Sequence, residues 1–216
     1  MSIIVHGYRY SVYSRVLRMV LVAKGLEAEW VETDPFGPMP GSYTKLHPFG
    51  RVPVLEHGDF IIYETAAICR YLDEGFEGPS LQPGGYTRRA RMTQIISIID
   101  NYGYQPMVRQ VYAKAVFAPA KGEPIQDWQV QAGLEASHKV LTALEPLIVP
   151  QSATEISLAD LHLAAMVDAF VAAPEGARML AGFPRLSRWW DIMRDSDPVT
   201  KTRDSLLVRV SYDNLS

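Results

Sequence analysis

One cysteine, Cys69, stands in 216 residues, which excludes a disulfide framework and any CxxC redox pair and fits a reducing compartment. Its neighbours Ile68 and Tyr71 make it a packing residue. Positive charge is also in short supply. Lys and Arg number 21 against 24 Asp and Glu, a formal net charge of -3, which leaves no excess to neutralise a phosphate backbone. Nucleic acid is therefore not expected as a partner. The one basic cluster, Arg88, Arg89 and Arg91, reads as a solvated helix face. No apolar run is long enough to cross a bilayer, and the first residues, SIIVHGY, read as a strand without a cationic leader or cleavage site. A cytoplasmic chain with no membrane partner and no metal is expected.

The 48% hydrophobic content, by contrast, is ample for a core in one large domain or two small ones. Ser2 to Val5 reads as a strand. Val16, Met19, Val20 and Ala23 recur at helical spacing, with Gly25 ending that helix, and Glu29 to Glu32 reads as a second strand. Residues 34–46 hold three prolines and two glycines and predict a loop with at most one helical turn. Residues 79–86, rich in proline and glycine, mark a linker between a mixed half, residues 1–78, and a helical half, residues 87–216. In that second half a long helix runs from Thr87 towards Phe117, with Pro106 expected to kink or end it. A loop is predicted over residues 118–124. Val130, Leu134, Leu141, Leu144 and Ile148 mark the apolar face of the next helix, which Pro150 is expected to stop. Ser157 and Asp160 form a capping box, flanked by Ile156 and Leu161 as a hydrophobic staple. The helix it opens is apolar nearly all round and predicts the buried centre of a bundle. Phe183-Pro184 opens a further helix.

Chemistry concentrates between His47 and Glu74, read as loop, strand, turn, strand and helix. Val52-Pro53 places a proline where a strand is otherwise expected, and X-Pro is the peptide bond for which cis is accessible. A cis proline there turns the backbone of Val52 outward, free to pair with an extended peptide. Glu64-Thr65 marks the passage from the strand Phe60 to Tyr63 into a helix over 66–73. Free N–H groups at a helix start suit an anion, and an adjacent carboxylate suits an ammonium. Together they describe a site for a small peptide carrying an α-carboxylate and an α-amine.

The run Pro48-Phe49-Gly50-Arg51-Val52-Pro53-Val54-Leu55, then Gly58-Asp59, then Glu64-Thr65, strongly resembles the glutathione-binding half of the cytosolic glutathione transferases, of the serine type found in bacterial, theta, phi and zeta members. The capping box and the Phe183-Pro184 helix extend the resemblance over nearly the whole chain. It implies a thioredoxin-like α/β N-terminal domain followed by an all-α C-terminal bundle, and a homodimer with glutathione as co-substrate and no metal. It also implies a small electrophilic molecule as the other substrate. In family members with the pattern S-x-x-[SC]-R the first position meets the sulfur, which implies Ser11 here, with Ser14 as helix cap or support. Another branch uses a tyrosine at a position that falls on Gly7. Tyr8 and Tyr10 therefore stay open as alternatives.

The resemblance further implies that Val52, preceding Pro53, pairs with the cysteinyl unit, Glu64 with the γ-glutamyl ammonium and Thr65 with its carboxylate. Relatives often hold the glycine carboxylate with a basic residue upstream. That place falls here in Pro38-Met39-Pro40, leaving Lys45 or Arg51 as substitutes, with Arg51 either approaching the peptide or simply solvated. Tyr10, Tyr13, Tyr104, Met107 and Tyr112 would line an aromatic pocket for the electrophile, the last three being equally readable as core. Phe49 matches the aromatic residue that relatives insert into the partner subunit, with packing inside its own chain as the rival reading. A serine at position 11 favours conjugation or glutathione-dependent cis-trans isomerisation over thiol-disulfide chemistry. A non-catalytic transferase-like interaction module is the alternative.

Overall fold

The structure, a computed structural model, describes residues 2–149 and 155–203. Strand β1 (Ile3–Gly7) leads into helix α1 (Val12–Lys24) and strand β2 (Glu29–Glu32), then a single turn α2 (Tyr43–Leu46). Strands β3 (Val54–His57) and β4 (Phe60–Tyr63) and helix α3 (Thr65–Gly75) complete the first half. The four strands form one sheet in the order β2-β1-β3-β4, parallel between β1 and β2 and antiparallel elsewhere. The register pairs Val5 with Trp30 on one side and with Leu55 on the other. A parallel pair needs a crossover, and α1 supplies it, burying Val16, Leu17, Met19 and Val20 completely. Gly25 closes α1 at φ 67°, the left-handed conformation that favours glycine.

Two boundaries differ from the sequence reading. The first strand extends to Gly7, and the third begins at Val54, leaving Val52 and Pro53 outside both ladders. Proline cannot donate to a ladder, so pairing starts only after it.

Residues 76–85 lead to helix α4 (Tyr86–Ile98), which continues without interruption as a π-wound stretch (Ile99–Phe117) and one last turn, α5 (Ala118–Ala120). Pro106 neither ends this helix nor marks its change of winding, which begins seven residues earlier, at Ile99. Next comes α6 (Asp127–Leu144), whose predicted apolar face is buried. It gives way to a 3-10 turn at Glu145–Leu147 containing Pro146, before the expected stop at Pro150, which lies outside the described residues. Helix α7 (Leu158–Val171) is buried on nearly every side, and it is followed by α8 (Pro174–Ala181), α9 (Pro184–Met193) and α10 (Asp197–Lys201).

The halves are joined by buried charge. Arg15 of α1 donates to Asp168 of α7 at 2.6 Å and to the Val199 carbonyl at 3.2 Å, while Arg203 reaches the same carboxylate at 3.1 Å. At the linker, Lys24 donates to the carbonyls of Asp73 and Pro79, and the Asp73 carboxylate accepts the Leu81 N–H at 2.7 Å. The Leu81 carbonyl in turn accepts the N–H of Leu158 at the head of α7. Arg88, Arg89 and Arg91 lie exposed on α4, as expected, and Cys69 is fully buried, its thiol pushed up by burial and so held protonated. Among the described residues, no helix is long and apolar enough to cross a membrane.

Candidate functional site

Ser11 is the N-cap of α1. Its Oγ accepts the Ser14 N–H at 3.2 Å while its own backbone N–H donates to the Tyr8 carbonyl at 2.9 Å. An oxygen that accepts a capping bond still has its hydroxyl proton to donate, and it stands at the positive end of a helix dipole. Of the two roles open to Ser14, the structure leaves support. Ser14 is fully buried, and its Oγ accepts the Tyr8 N–H at 3.2 Å, pinning the loop that carries the tyrosines. A side chain at Gly7 would meet the Trp30 ring, which would have to move to admit a tyrosine here.

The junction at the other end of the sheet is strained. Glu64 is the one non-glycine residue at positive φ among the described residues, with φ 72°, and this costs on the order of 1–3 kcal/mol. It also moves the start of α3 one residue ahead of the expected one: Thr65 is the first helical residue, Glu64 sits at the cap position, and no side chain caps the helix. The first N–H groups of α3 are thus left for something else to satisfy. The Val52-Pro53 bond is cis. Thr65 is buried, Glu64 is exposed, and both line a cleft of about 280 Å³ with Val52, Pro53, Arg51 and Tyr13.

Three residues of this cleft carried no signal in the sequence reading. His47 is 2% exposed and stacks on Tyr63 at 4.6 Å; its Nδ1 accepts the Phe49 N–H at 3.3 Å, which leaves an N–H on Nε2. Burial lowers its pKa against the opposing pull of Glu64, so the ring is neutral. Asp100 and Asn101 come from the π-wound helix. Burial, reinforced by Glu64, pushes the Asp100 carboxyl up to about 6, with a hydrogen bond from Tyr13 working the other way. Asp100 Oδ1 is buried without a hydrogen-bond partner. Only tertiary folding could bring a residue from position 100 against Glu64.

A second cavity of about 430 Å³ shares Tyr13, Arg51 and Val52 with the first, so the two adjoin across these residues. Ser11, Tyr8, Tyr10, Tyr104, Tyr112 and Phe49 line it. Tyr13 leans on Tyr104 at 5.0 Å, Tyr10 meets Phe117 edge-on at 5.4 Å, and Tyr8 meets Tyr10 at 5.5 Å. Burial raises the pKa of Tyr8 and Tyr13, so both phenols keep their protons and can only donate or accept neutral hydrogen bonds. Met107 does not reach the cavity. It is 1% exposed and belongs to the core, because its place on the long helix turns it towards the interior of the bundle. Lys45 is exposed on α2 and away from the cleft, whereas Arg51 lines both cavities. Phe49 is 70% exposed at the rim.

A further cavity of about 400 Å³ lies between the linker, α4 and the head of α7. Its polar groups have structural work: Arg88 holds the Gly84 carbonyl, and Asp160 belongs to the capping box. Among the described residues no group of three or more His, Cys, Asp or Glu is placed to hold a metal ion.

Sequence comparisons fall on one family, and solved structures share its fold. Residues 5–80 match the family model described as "Glutathione S-transferase, N-terminal domain". The chain is 31% identical over 193 residues to Glutathione S-transferase Z2 of Arabidopsis thaliana, an alignment covering 86% of this chain and 83% of that one. Among solved structures, human glutathione S-transferase T1-1 in its apo form superposes with a TM-score of 0.81 at 21% identity, covering 97% of this chain and 91% of the other. A glutathione S-transferase-I bound with lactoylglutathione superposes at 0.77 with 23% identity, covering 94% and 98%.

Proposed function

The chain belongs to the glutathione S-transferase family, and from that membership we propose that it is a catalytic member, ionising the thiol of glutathione for attack on a small electrophile. The observation that carries this reading is the adjacency of two unlike sites across Tyr13, Arg51 and Val52. At one end lie the uncapped start of α3 and two carboxylates, Glu64 and Asp100; at the other, the Ser11 hydroxyl stands at the head of α1.

In this reading the γ-glutamyl carboxylate takes the free N–H groups and the Thr65 hydroxyl, and the ammonium sits between Glu64 and Asp100. The backbone of Val52 pairs with the cysteinyl unit in strand fashion. Arg51 and the Nε2–H of His47 are the donors on hand for the glycine carboxylate. The thiol proton leaves to solvent, and the thiolate that remains accepts the Ser11 O–H beside the positive end of α1. It then forms a C–S bond while the leaving group departs with its bonding pair. Tyr8 and Tyr10 are the rival donors to the sulfur. Phe49, exposed at the rim, is the residue through which a second copy of the chain would dock as a homodimer.

The test is retention on immobilised glutathione combined with turnover of 1-chloro-2,4-dinitrobenzene. Ser11→Ala is expected to lower kcat by about 100-fold while the glutathione Kd moves only a few-fold, with the thiolate absorbance of the bound tripeptide shifting to higher pH. Retention without turnover would leave a non-catalytic module; undiminished kcat in the variant would pass the role to a tyrosine.

A further inference from the structure

The acceptor half of the cleft is aromatic, yet its charged lining has one sign. Arg51 and Arg109 are the charged side chains on its wall, and no Asp or Glu lines it. Arg109 comes from the π-wound helix and lies with its guanidinium 5.4 Å from the centre of the Phe36 ring, which lines the same cavity. At the rim, the Lys121 ammonium lies 4.4 Å from the centre of Phe117 and 5.8 Å from that of Tyr10, both of which line the cavity. Among the described residues neither Arg109 nor Lys121 is in an ion pair. Two acids outside the lining act on Tyr8: Asp34, whose carboxylate accepts the Phe36 N–H, and Glu32, which is held by Arg9 and by the Trp30 N–H. In a chain of net charge -3, cations gathered around an apolar slot whose own lining holds no carboxylate are poised for an anion that arrives with the ligand.

We infer that the acceptor pocket selects electrophiles bearing a carboxylate or similar anionic group on a flat aromatic body, with Arg109 as the specificity-determining residue and Lys121 assisting at the rim. The inference rests on the transferase reading of the cleft and names the class of its acceptor. A ring of that kind stacks among Tyr10, Tyr104 and Phe117, and the planar guanidinium of Arg109, already oriented by Phe36, offers its N–H edge to the anion in a forked hydrogen bond. Arg51, shared with the glutathione half, is left to the tripeptide.

Two probes matched in shape decide it: 4-chloro-3,5-dinitrobenzoate and its neutral amide, 4-chloro-3,5-dinitrobenzamide. In both, the thiolate adds at the carbon bearing chlorine, the C–S bond forms and chloride leaves with the C–Cl pair. Each kcat/KM is divided by the probe's own uncatalysed rate with glutathione, and the carboxylate-to-amide ratio is the readout. The ratio is expected to exceed one by about tenfold in the native protein and to shrink as salt rises, because these cations are solvent-exposed. Arg109→Gln should lower it about tenfold, with Arg109→Lys retaining most of it. Isothermal titration of the two preformed glutathione conjugates reads the same preference without turnover. A ratio near one in the native protein, or equal losses in the Gln and Lys variants, overturns the inference. So does a rise in the glutathione KM of Arg109→Gln without a change in the ratio. Failure of both probes to react, with the anionic conjugate still bound about tenfold tighter, removes the transferase reading and leaves the pocket's selectivity standing.

Discussion

The charge of Asp100 weighs against the empty protein at neutral pH. Its carboxyl, pushed up to about 6 by burial and then by Glu64, is more easily protonated in the folded chain than at its ordinary 3.8. A carboxyl with a raised folded pKa supports folding while protonated. Its contribution is complete below about pH 4 and is lost as pH rises through about 6. Removing the charge should therefore help the unliganded protein in the neutral range: Asp100→Asn is expected to raise Tm at pH 7.5 by roughly 3–5 °C, with no gain near pH 4. If the Glu64 and Asp100 pair holds an ammonium, the same variant loses glutathione affinity, with KM up about tenfold. A Tm that falls at pH 7.5 would refute this account of Asp100. Nothing in the sequence around position 100 announces the role, because it consists of facing Glu64 and Tyr13, and neither is a neighbour in the chain.

At the scale of elements, the capping box of α7 was readable from four residues, and both of its bonds are present: the Ser157 N–H donates to Asp160 Oδ2 at 2.8 Å, and the Asp160 N–H to Ser157 Oγ at 3.4 Å. What four residues could not reveal is the other oxygen. Asp160 Oδ1 accepts the Trp189 indole N–H at 2.8 Å, so one carboxylate caps α7 and anchors α9. Trp189 is 2% exposed, and its N–H would be left buried without a partner. Asp160→Ala is therefore expected to cost about 2–4 kcal/mol, the lost cap plus an orphaned donor, with Ser157→Ala costing about 1 kcal/mol. Urea unfolding distinguishes the two, and equal losses would mean that the Trp189 bond contributes nothing. The long helix makes the opposite point. Proline rules predict a break at Pro106, yet the chain continues through it in π-type winding, and that same stretch delivers Asp100, Tyr104, Arg109 and Tyr112 to the cleft.

For the whole molecule, the cleft exists because two halves are held in one arrangement. Arg15, 3% exposed, bridges α1 to α7 through Asp168, and the Lys24–Asp73 pair ties the linker to the end of α1. Removing one member of such a pair strands a buried charge, which makes them determinants of how the halves sit. Outward, the molecule leaves Phe49 70% exposed beside His47 and the cleft. If a second copy covers it, Phe49→Ser should shift sedimentation from dimer to monomer and lower turnover with it; a native protein that sediments as a monomer at micromolar concentration would refute the dimer.

What depends on neighbours along the chain could be read before the structure. Local backbone preference and short-range periodicity marked the four strands, the caps at Ser157 and Gly25, the proline at Val52-Pro53 and the Glu64-Thr65 junction. Tertiary packing alone settled which groups far apart in the chain meet. It set Asp100 against Glu64, sent Met107 to the core instead of the cavity, and hung Arg109 over Phe36. Each of these outcomes depends on the pose of one packed helix against a sheet, and no local pattern encodes that pose.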